Sequence, residues 1–454
     1  MFKKFTNGCV SLVQKYLPDP FLFAVILTII VFVLGIIFTG QGPIAMIAHW
    51  GNGFWRLLAF SMQMALVLVT GHTLANAPII KKGLKNLSSL SRTPTQAIFA
   101  VSLVSAIACW INWGFGLVIG ALYARQLAKQ VKGVDYRLLI AAAYSGFLVW
   151  HAGISGSIPL KLATAGADLA TATAGIITEP IPTSQTMFSV FNLIISAAII
   201  FTLPFVNKAM HPEAGSVIAI DPRLLEEDDA EEAATKEASR KEMTPADRME
   251  TSPILSILIG VLGLVYIVYY FSTNGFKLNL NIVNFIFLFA GIILHGTPRR
   301  FLTALVNGAK GTAGIILQFP FYAGIMGMMI GENVAGLSLA EVMSNAFVAI
   351  SNEHTFPVFT FLSAGIVNFF VPSGGGQWAV QAPIMMPAGA DLGVPAAKTA
   401  MAIAWGDAWT NMIQPFWALP ALGIAGLGAR DIMGFCIIDL LYTGVIIALG
   451  LAFL

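Results

Sequence analysis

The sequence predicts an all-α polytopic membrane protein, with about nine transmembrane helices and two re-entrant hairpins in an inverted-topology repeat of discontinuous helices. Three observations lead there. Of 454 residues, 57% are apolar and only 11% charged, with mean hydropathy +0.79, whereas a soluble domain carries about a quarter charged residues. Twelve of the 23 acids crowd into residues 207–250 beside six basic residues, leaving 11 acids for the other 410 positions. The chain on either side of this stretch repeats one order of apolar segments. A net charge of +2 is too small to suggest a nucleic-acid partner. Cys9, Cys109 and Cys436 are scattered without a CxxC spacing, so neither a disulfide framework nor a zinc site is expected.

Spans of about 20 apolar residues fall near 20–38, 54–76, 138–162 and 186–206, then near 254–272, 281–298, 311–331, 396–427 and 432–454. The first follows Lys3, Lys4 and Lys15 and has no small-residue cleavage pattern after it, so it is expected to be a retained helix. Lys81, Lys82, Lys85 and Arg92 precede the 95–122 stretch, and Arg125, Lys129, Lys132 and Arg137 follow it. Basic residues favour the cytoplasm, so this stretch is expected to enter and leave from that side as a hairpin, buried in protein or lining a cavity. The N-terminus and the 207–250 linker, with its Glu226-Glu227-Asp228-Asp229-Ala230-Glu231-Glu232 run, then fall in the cytoplasm. Residues 355–389 form the second hairpin. The first span begins 75 residues before its hairpin, and the span at 281 begins 74 before the second. Span 254–272 has no counterpart, and one extra crossing inverts the second repeat. Residues 1–206 are thus the N-terminal membrane repeat and 251–454 the C-terminal one, with 281–454 the inverted counterpart. Such repeats, with broken helices meeting near the midplane, mark secondary transporters.

The candidate site residues lie at the breaks. The first hairpin turns within Cys109-Trp110-Ile111-Asn112-Trp113-Gly114-Phe115-Gly116, and the second within Val371-Pro372-Ser373-Gly374-Gly375-Gly376-Gln377-Trp378. Glycine lets a ligand approach the backbone, and uncovered N–H groups at a half-helix start make an anion seat. The interrupted spans read Trp150-His151-Ala152-Gly153-Ile154-Ser155-Gly156-Ser157-Ile158-Pro159 and Trp405-Gly406-Asp407-Ala408-Trp409-Thr410-Asn411-Met412-Ile413-Gln414-Pro415. The substrate candidates are therefore Asn112, Trp113, Gly114, His151, Ser155, Ser157, Ser373, Gly374, Gly375, Gly376 and Gln377. Asp407, read as the one acid deep within an apolar span, would hold a cation or proton with Thr410 and Asn411, since an intramembrane ionisable group is functional by default. No Lys or Arg sits mid-span; Lys161 is the nearest. GxxxxGK[ST], HExxH and GxSxG are absent, so neither ATP-driven pumping nor an enzyme is expected. No cofactor or metal is expected beyond a coupling Na⁺ or H⁺. The residues leave open another anion symporter, such as one for C4-dicarboxylates, a Na⁺/H⁺ exchanger and, less readily, a channel.

The string Val371–Trp378 followed by Gln381-Ala382-Pro383, with Tyr16-Leu17-Pro18-Asp19-Pro20, the Trp110–Gly116 turn, His151–Pro159 and Trp405–Pro415, resembles the bacterial short-chain fatty acid transporter family almost end to end. That family is similar to the larger ion-transporter group that includes dicarboxylate/sodium symporters. The resemblance implies elevator-like movement and uptake of small monocarboxylates such as acetoacetate or butyrate across the inner membrane; by analogy with that group, it also allows a homodimer. Its sodium-coupled relatives carry Ser-Asn-Thr at the hairpin tips. Here the tips are Asn112-Trp113-Gly114 and Ser373-Gly374-Gly375, so the resemblance does not assign the coupling ion.

Overall fold

The computed structural model describes residues 20–212, 214–224, 243–371, 373–413 and 417–454. Lys3, Lys4, Lys15, Tyr16–Asp19, the 226–232 acidic run, Pro372, Gln414 and Pro415 lie outside the described residues. Among those described there are helices and no strands.

The first series is α1 (Pro20–Thr39), α2 (Pro43–Gly53), α3 (Leu58–Ala75), α4 (Pro78–Ser88), α5 (Pro94–Ile111), α6 (Trp113–Gln130), α7 (Tyr136–Ser145), α8 (Ser157–Leu162), α9 (Ala167–Ala172) and α10 (Val190–Ala209). After α11 (Pro245–Glu250) and α12 (Pro253–Asn274), the order returns. It runs α13 (Leu280–His295), α14 (Pro298–Ala309), α15 (Ala313–Ile330), α16 (Leu339–Ile350), α17 (Phe356–Phe370), α18 (Gly374–Asp391), α19 (Ala396–Thr410), α20 (Leu419–Ala425) and α21 (Ala429–Phe453). The short helices α2, α4, α14 and α16, absent from the hydropathy reading, are too brief to cross a bilayer. Proline opens several helices, as at Pro43, Pro78, Pro94 and Pro298, where its missing N–H costs nothing. By length and composition, six helical segments among the described residues can cross a membrane, and five shorter ones are apolar.

Both interrupted spans are broken where Gly and polar residues suggested. α7 tightens into a 3₁₀ turn at Gly146–Val149 and unwinds before α8, and α19 tightens at Asn411–Ile413 before α20. The hairpin tips have nearly the same backbone: Asn112 at φ −153°, ψ 122° and Ser373 at φ −157°, ψ 115°. Each caps the following helix. Asn112 Oδ1 accepts from the Phe115 N–H at 2.9 Å, and Ser373 Oγ from the Gly376 N–H at 3.4 Å. The first hairpin is longer than the 95–122 expected, because α6 continues through Arg125 and Lys129. Arg125 remains helical at a half-buried position since its guanidinium donates to the Ile424 and Leu224 carbonyls at 2.8 and 2.7 Å, which satisfies the charge without a loop.

Leu224 lies within the linker, and near the linker's C-terminal end Arg299 of α14 pairs with Asp247 and, at 2.8 Å, with Glu250. α12 buries only Ser256, Gly260 and Gly263 and leaves Leu258, Leu262, Val265 and Val268 exposed, as a helix at the periphery of an apolar bundle does. The core lies around α5–α8 and α17–α19, where even Ser, Asn and Asp side chains are fully buried.

Candidate functional site

The two hairpin tips and the two broken spans converge. On the first side, the unwound segment after Val149 attaches to the α5–α6 tip by backbone. The Ile154 N–H donates to the Trp110 carbonyl at 2.7 Å, and the Trp113 N–H donates to Ser155 Oγ at 2.9 Å. Gly153 lies directly on the Trp110 carbonyl, where a Cβ would collide. Trp113 is the first residue of α6, so its N–H has no partner within the helix. Ser155→Ala strands that buried donor at a cost of about 1–3 kcal/mol. A lowered melting temperature of the purified protein, with lost uptake, is the expected result; unaltered melting would remove Ser155 as the fastener of the tip.

On the second side, the triple glycine brings α18 against rings. Gly374 faces His151 and Trp150, Gly375 faces Phe60 and Phe319, and Gly376 faces Tyr322. The sequence explained these glycines by ligand access; the structure shows that they also admit aromatic side chains of α3 and α15 to the start of α18.

His151 and Asp407 join the two repeats. Both are fully buried, and His151 Nδ1 lies 2.6 Å from Asp407 Oδ2. The Ile158 N–H donates to His151 Nε2 at 3.0 Å. That nitrogen therefore accepts, the proton resides on Nδ1, and Nδ1–H donates to the carboxylate. Asp407 Oδ1 makes no hydrogen bond among the described residues. Although Ser, His and Asp are all present, Nε2 is occupied by a backbone N–H and cannot take a serine proton, so this is no nucleophilic triad.

Thr410 and Asn411 serve the same break. Thr410 Oγ1 receives the Asn368 amide at 2.9 Å and lies 3.0 Å from the Gly365 carbonyl. Asn368 also donates to the Asp407 carbonyl at 2.9 Å, while its Oδ1 is unpartnered among the described residues. Asn411 Oδ1 accepts from Trp150 Nε1 at 3.0 Å, and its carbonyl accepts from the Tyr144 hydroxyl at 2.8 Å.

A small cavity of about 10 Å³ lies between the tips, room for one water. Its polar edge is Ser157, Ser373 and the Gly374–Gly375 start of α18. Its wall is aromatic (Trp113, Phe147, Trp150, Phe319 and Trp417), completed by Met64 and Ile315. Of the sequence candidates, Trp113, Ser157, Ser373, Gly374 and Gly375 line it. Asn112, Gly114, His151, Ser155, Gly376, Asp407, Thr410 and Asn411 are not among its lining. Gln377 turns away, donating to the Ala364 carbonyl at 2.8 Å and to Gln381 at 3.1 Å. Lys161 is buried with its ammonium 5.2 Å from the Phe60 ring.

Sequence reasoning missed Asn368, an amide alone in the apolar run Phe356–Phe370, and that isolation was the available signal. It also missed Phe147, Phe319 and Trp417, which nothing in their local pattern distinguishes from packing. One expectation is corrected: Asp407 is not the one acid deep in an apolar span. Asp439, inside α21, is equally buried; its helix reads as a plain apolar span, and the other 24 residues hid it.

A family model described as short chain fatty acid transporter matches residues 1–454. A protein of Escherichia coli (strain K12), provisionally named a short-chain fatty acid transporter, is 47% identical over 451 residues, covering 99% of each chain. One of Haemophilus influenzae (strain ATCC 51907 / DSM 11121 / KW20 / Rd), with the same provisional name, is 45% identical over 460 residues, covering all of both. Among solved structures, the YdaH transporter of Alcanivorax borkumensis, reported to have an unusual topology, superposes with TM-score 0.57 over 96% of this chain and 97% of that one. At 16% identity it is similar in fold.

Proposed function

Because the chain belongs to the short-chain fatty acid transporter family, a multi-pass membrane protein, we propose that it moves small monocarboxylates such as acetoacetate or butyrate across the bacterial inner membrane, driven by a cation gradient. The observation that carries this reading is the cavity between the tips, with hydroxyls and a half-helix start on one edge and rings on the other. Ser157, Ser373 and the first N–H groups of α18 offer hydrogen bonds and the positive end of a dipole to a carboxylate. The aromatic wall takes the short alkyl or acyl chain, whose burial contributes about 0.8 kcal/mol per methylene. No Lys or Arg lines the cavity, so it suits a singly charged anion better than a dicarboxylate.

Asp407 supplies the coupling. A buried carboxylate with one oxygen unpartnered among the described residues favours a bound Na⁺ or H⁺ at that oxygen. Asn368, Thr410 and Asn411 surround the same break and would provide further oxygens. The cavity is too small for the substrate, so the lining must part to admit it. The contacts of Gly375 with Phe60 and Phe319 and of Gly376 with Tyr322 place smooth backbone against α3 and α15, a seam along which an elevator-like unit of hairpins and broken helices can slide. The N-terminus and linker face the cytoplasm in this reading.

Uptake of labelled acetoacetate into proteoliposomes, under an imposed Na⁺ or proton gradient applied singly, tests it. One gradient is expected to drive accumulation; accumulation under neither refutes coupled transport. Unlabelled butyrate competes and succinate, even in large excess, does not. Equal competition by succinate would show a dicarboxylate site.

A further inference from the structure

The carboxyl of Asp439 takes no part in the site described above. It is fully buried within the 25-residue helix α21, and among the described residues no Lys, Arg or His pairs with it. An acid in such a place is costly, which makes it a functional group by default. Facing it is Asn207 of α10, also fully buried, which reaches Ser102 of α5 and Ser145 at the end of α7.

The Asn207 amide fits this nest in two orientations, each matched to one state of the acid. With its nitrogen toward Asp439, it donates to both carboxylate oxygens at 3.2 Å, while its oxygen accepts from the Ser102 and Ser145 hydroxyls at 2.9 Å. That arrangement requires an ionised Asp439. With its oxygen toward Asp439, the amide nitrogen donates to the same two hydroxyls at 2.9 Å, and Ser145 donates to the Ala142 carbonyl at 2.9 Å. The amide oxygen then confronts a carboxyl oxygen, and only an O–H on Asp439 makes that contact favourable.

We infer that Asp439, Asn207, Ser102 and Ser145 form a second proton-binding site of this transporter, separate from the His151–Asp407 pair. The step is an O–H bond made or broken on Asp439, with the proton taken from water and returned to it, while the amide turns over and the Ser145 hydroxyl changes partner. The titratable groups around it are Cys436 on the same helix and, beyond it, the Tyr144 hydroxyl of α7 and the Cys109 thiol of α5. None of these carries positive charge. Lys208, next to Asn207, is exposed and lies over the Phe205 ring.

The place of the site gives the proton something to act on. Ser145 is the last residue of α7 before the 3₁₀ turn that begins the first break, and the neighbouring Tyr144 hydroxyl holds the Asn411 carbonyl beyond Asp407. Trp409, two residues after Asp407, donates to the Leu440 carbonyl at 2.7 Å, beside Asp439. Both broken spans are therefore tied to this nest. Its role in a cycle rests on the transport reading, but its titration does not.

Infrared difference spectra of the full-length purified protein, taken between acidic and alkaline pH, read the site without transport. A carboxylic C=O band that grows on acidification is expected in the unaltered protein. One component of that band is lost in Asp439→Asn and kept in Asp407→Asn. Asn207→Ala, which removes the hydrogen-bond partner, shifts its frequency. A band unchanged in Asp439→Asn overturns the proposal. If that variant does not fold, a band unmoved by Asn207→Ala overturns it equally. Absence of coupled uptake in the unaltered protein, with the band present, would refute the transport reading alone.

Discussion

Asp407→Asn is expected to abolish gradient-driven accumulation while sparing exchange of internal for external substrate. The carboxamide has almost the shape of the carboxylate, and its oxygen still accepts from His151 Nδ1–H, which lies 2.6 Å from Asp407 Oδ2. What disappears is the negative charge, and with it the reason for a cation to bind. A charge-assisted hydrogen bond becomes a neutral one of roughly half the strength, so the cavity behind which it stands is weakened but not dismantled. Exchange should fall by no more than about tenfold, the equivalent of ~1.4 kcal/mol, whereas accumulation above equilibrium vanishes. The comparison is made in proteoliposomes loaded with or without unlabelled substrate. Accumulation at the unaltered level would remove Asp407 from coupling, and loss of exchange as well would make it a part of the substrate seat.

Gly374→Ala should be the most damaging small substitution in the second hairpin. Its Cβ would lie 2.5 Å from His151 Cε1 and 2.9 Å from the far edge of Trp150. Neither ring can step aside. His151 is held at both nitrogens and Trp150 through its indole N–H to Asn411, and the two rings stack at a centroid distance of 4.1 Å. Overpacking of this kind costs about 1–3 kcal/mol, and here the displaced atom is α18 itself, whose start is the anion edge of the cavity. Uptake is expected to fall by about tenfold or more. Gly83→Ala, on the exposed face of α4 with nothing within 4 Å of the added methyl, should leave uptake unchanged and serves as the control. Normal uptake by Gly374→Ala would show that the tip does not close over the site.

Much of the architecture was readable along the chain because a bilayer leaves few choices. Backbone groups in lipid must be satisfied within the segment, so length and apolar composition alone placed α1, α3, α10, α12, α15 and α21. The hairpin tips were readable for a related reason: Asn112 and Ser373, with glycine one or two residues on, have the chemistry of a helix start. The boundaries were less so. α6 runs beyond the basic residues that were expected to end it, because Arg125 finds two carbonyls from distant segments.

The site was readable only in part. Trp113, Ser157, Ser373, Gly374 and Gly375, singled out at the breaks, line one cavity, since a break in a span has few uses. Phe147, Phe319, Trp417, Asn368 and Asp439 were not, because a Phe that lines a ligand and a Phe that fills a core occur in the same pattern.

Composition, helix lengths and the residues at each interruption were determined by the sequence itself, since they follow from local rules of backbone satisfaction and turn chemistry. The partnership of His151 with Asp407 across 256 positions, the neutral tautomer that the Ile158 N–H imposes and the nest around Asp439 were decided by tertiary structure. Hydrogen bonding in a dry interior depends on which groups packing brings within about 3 Å, and linear spacing carries no record of that distance.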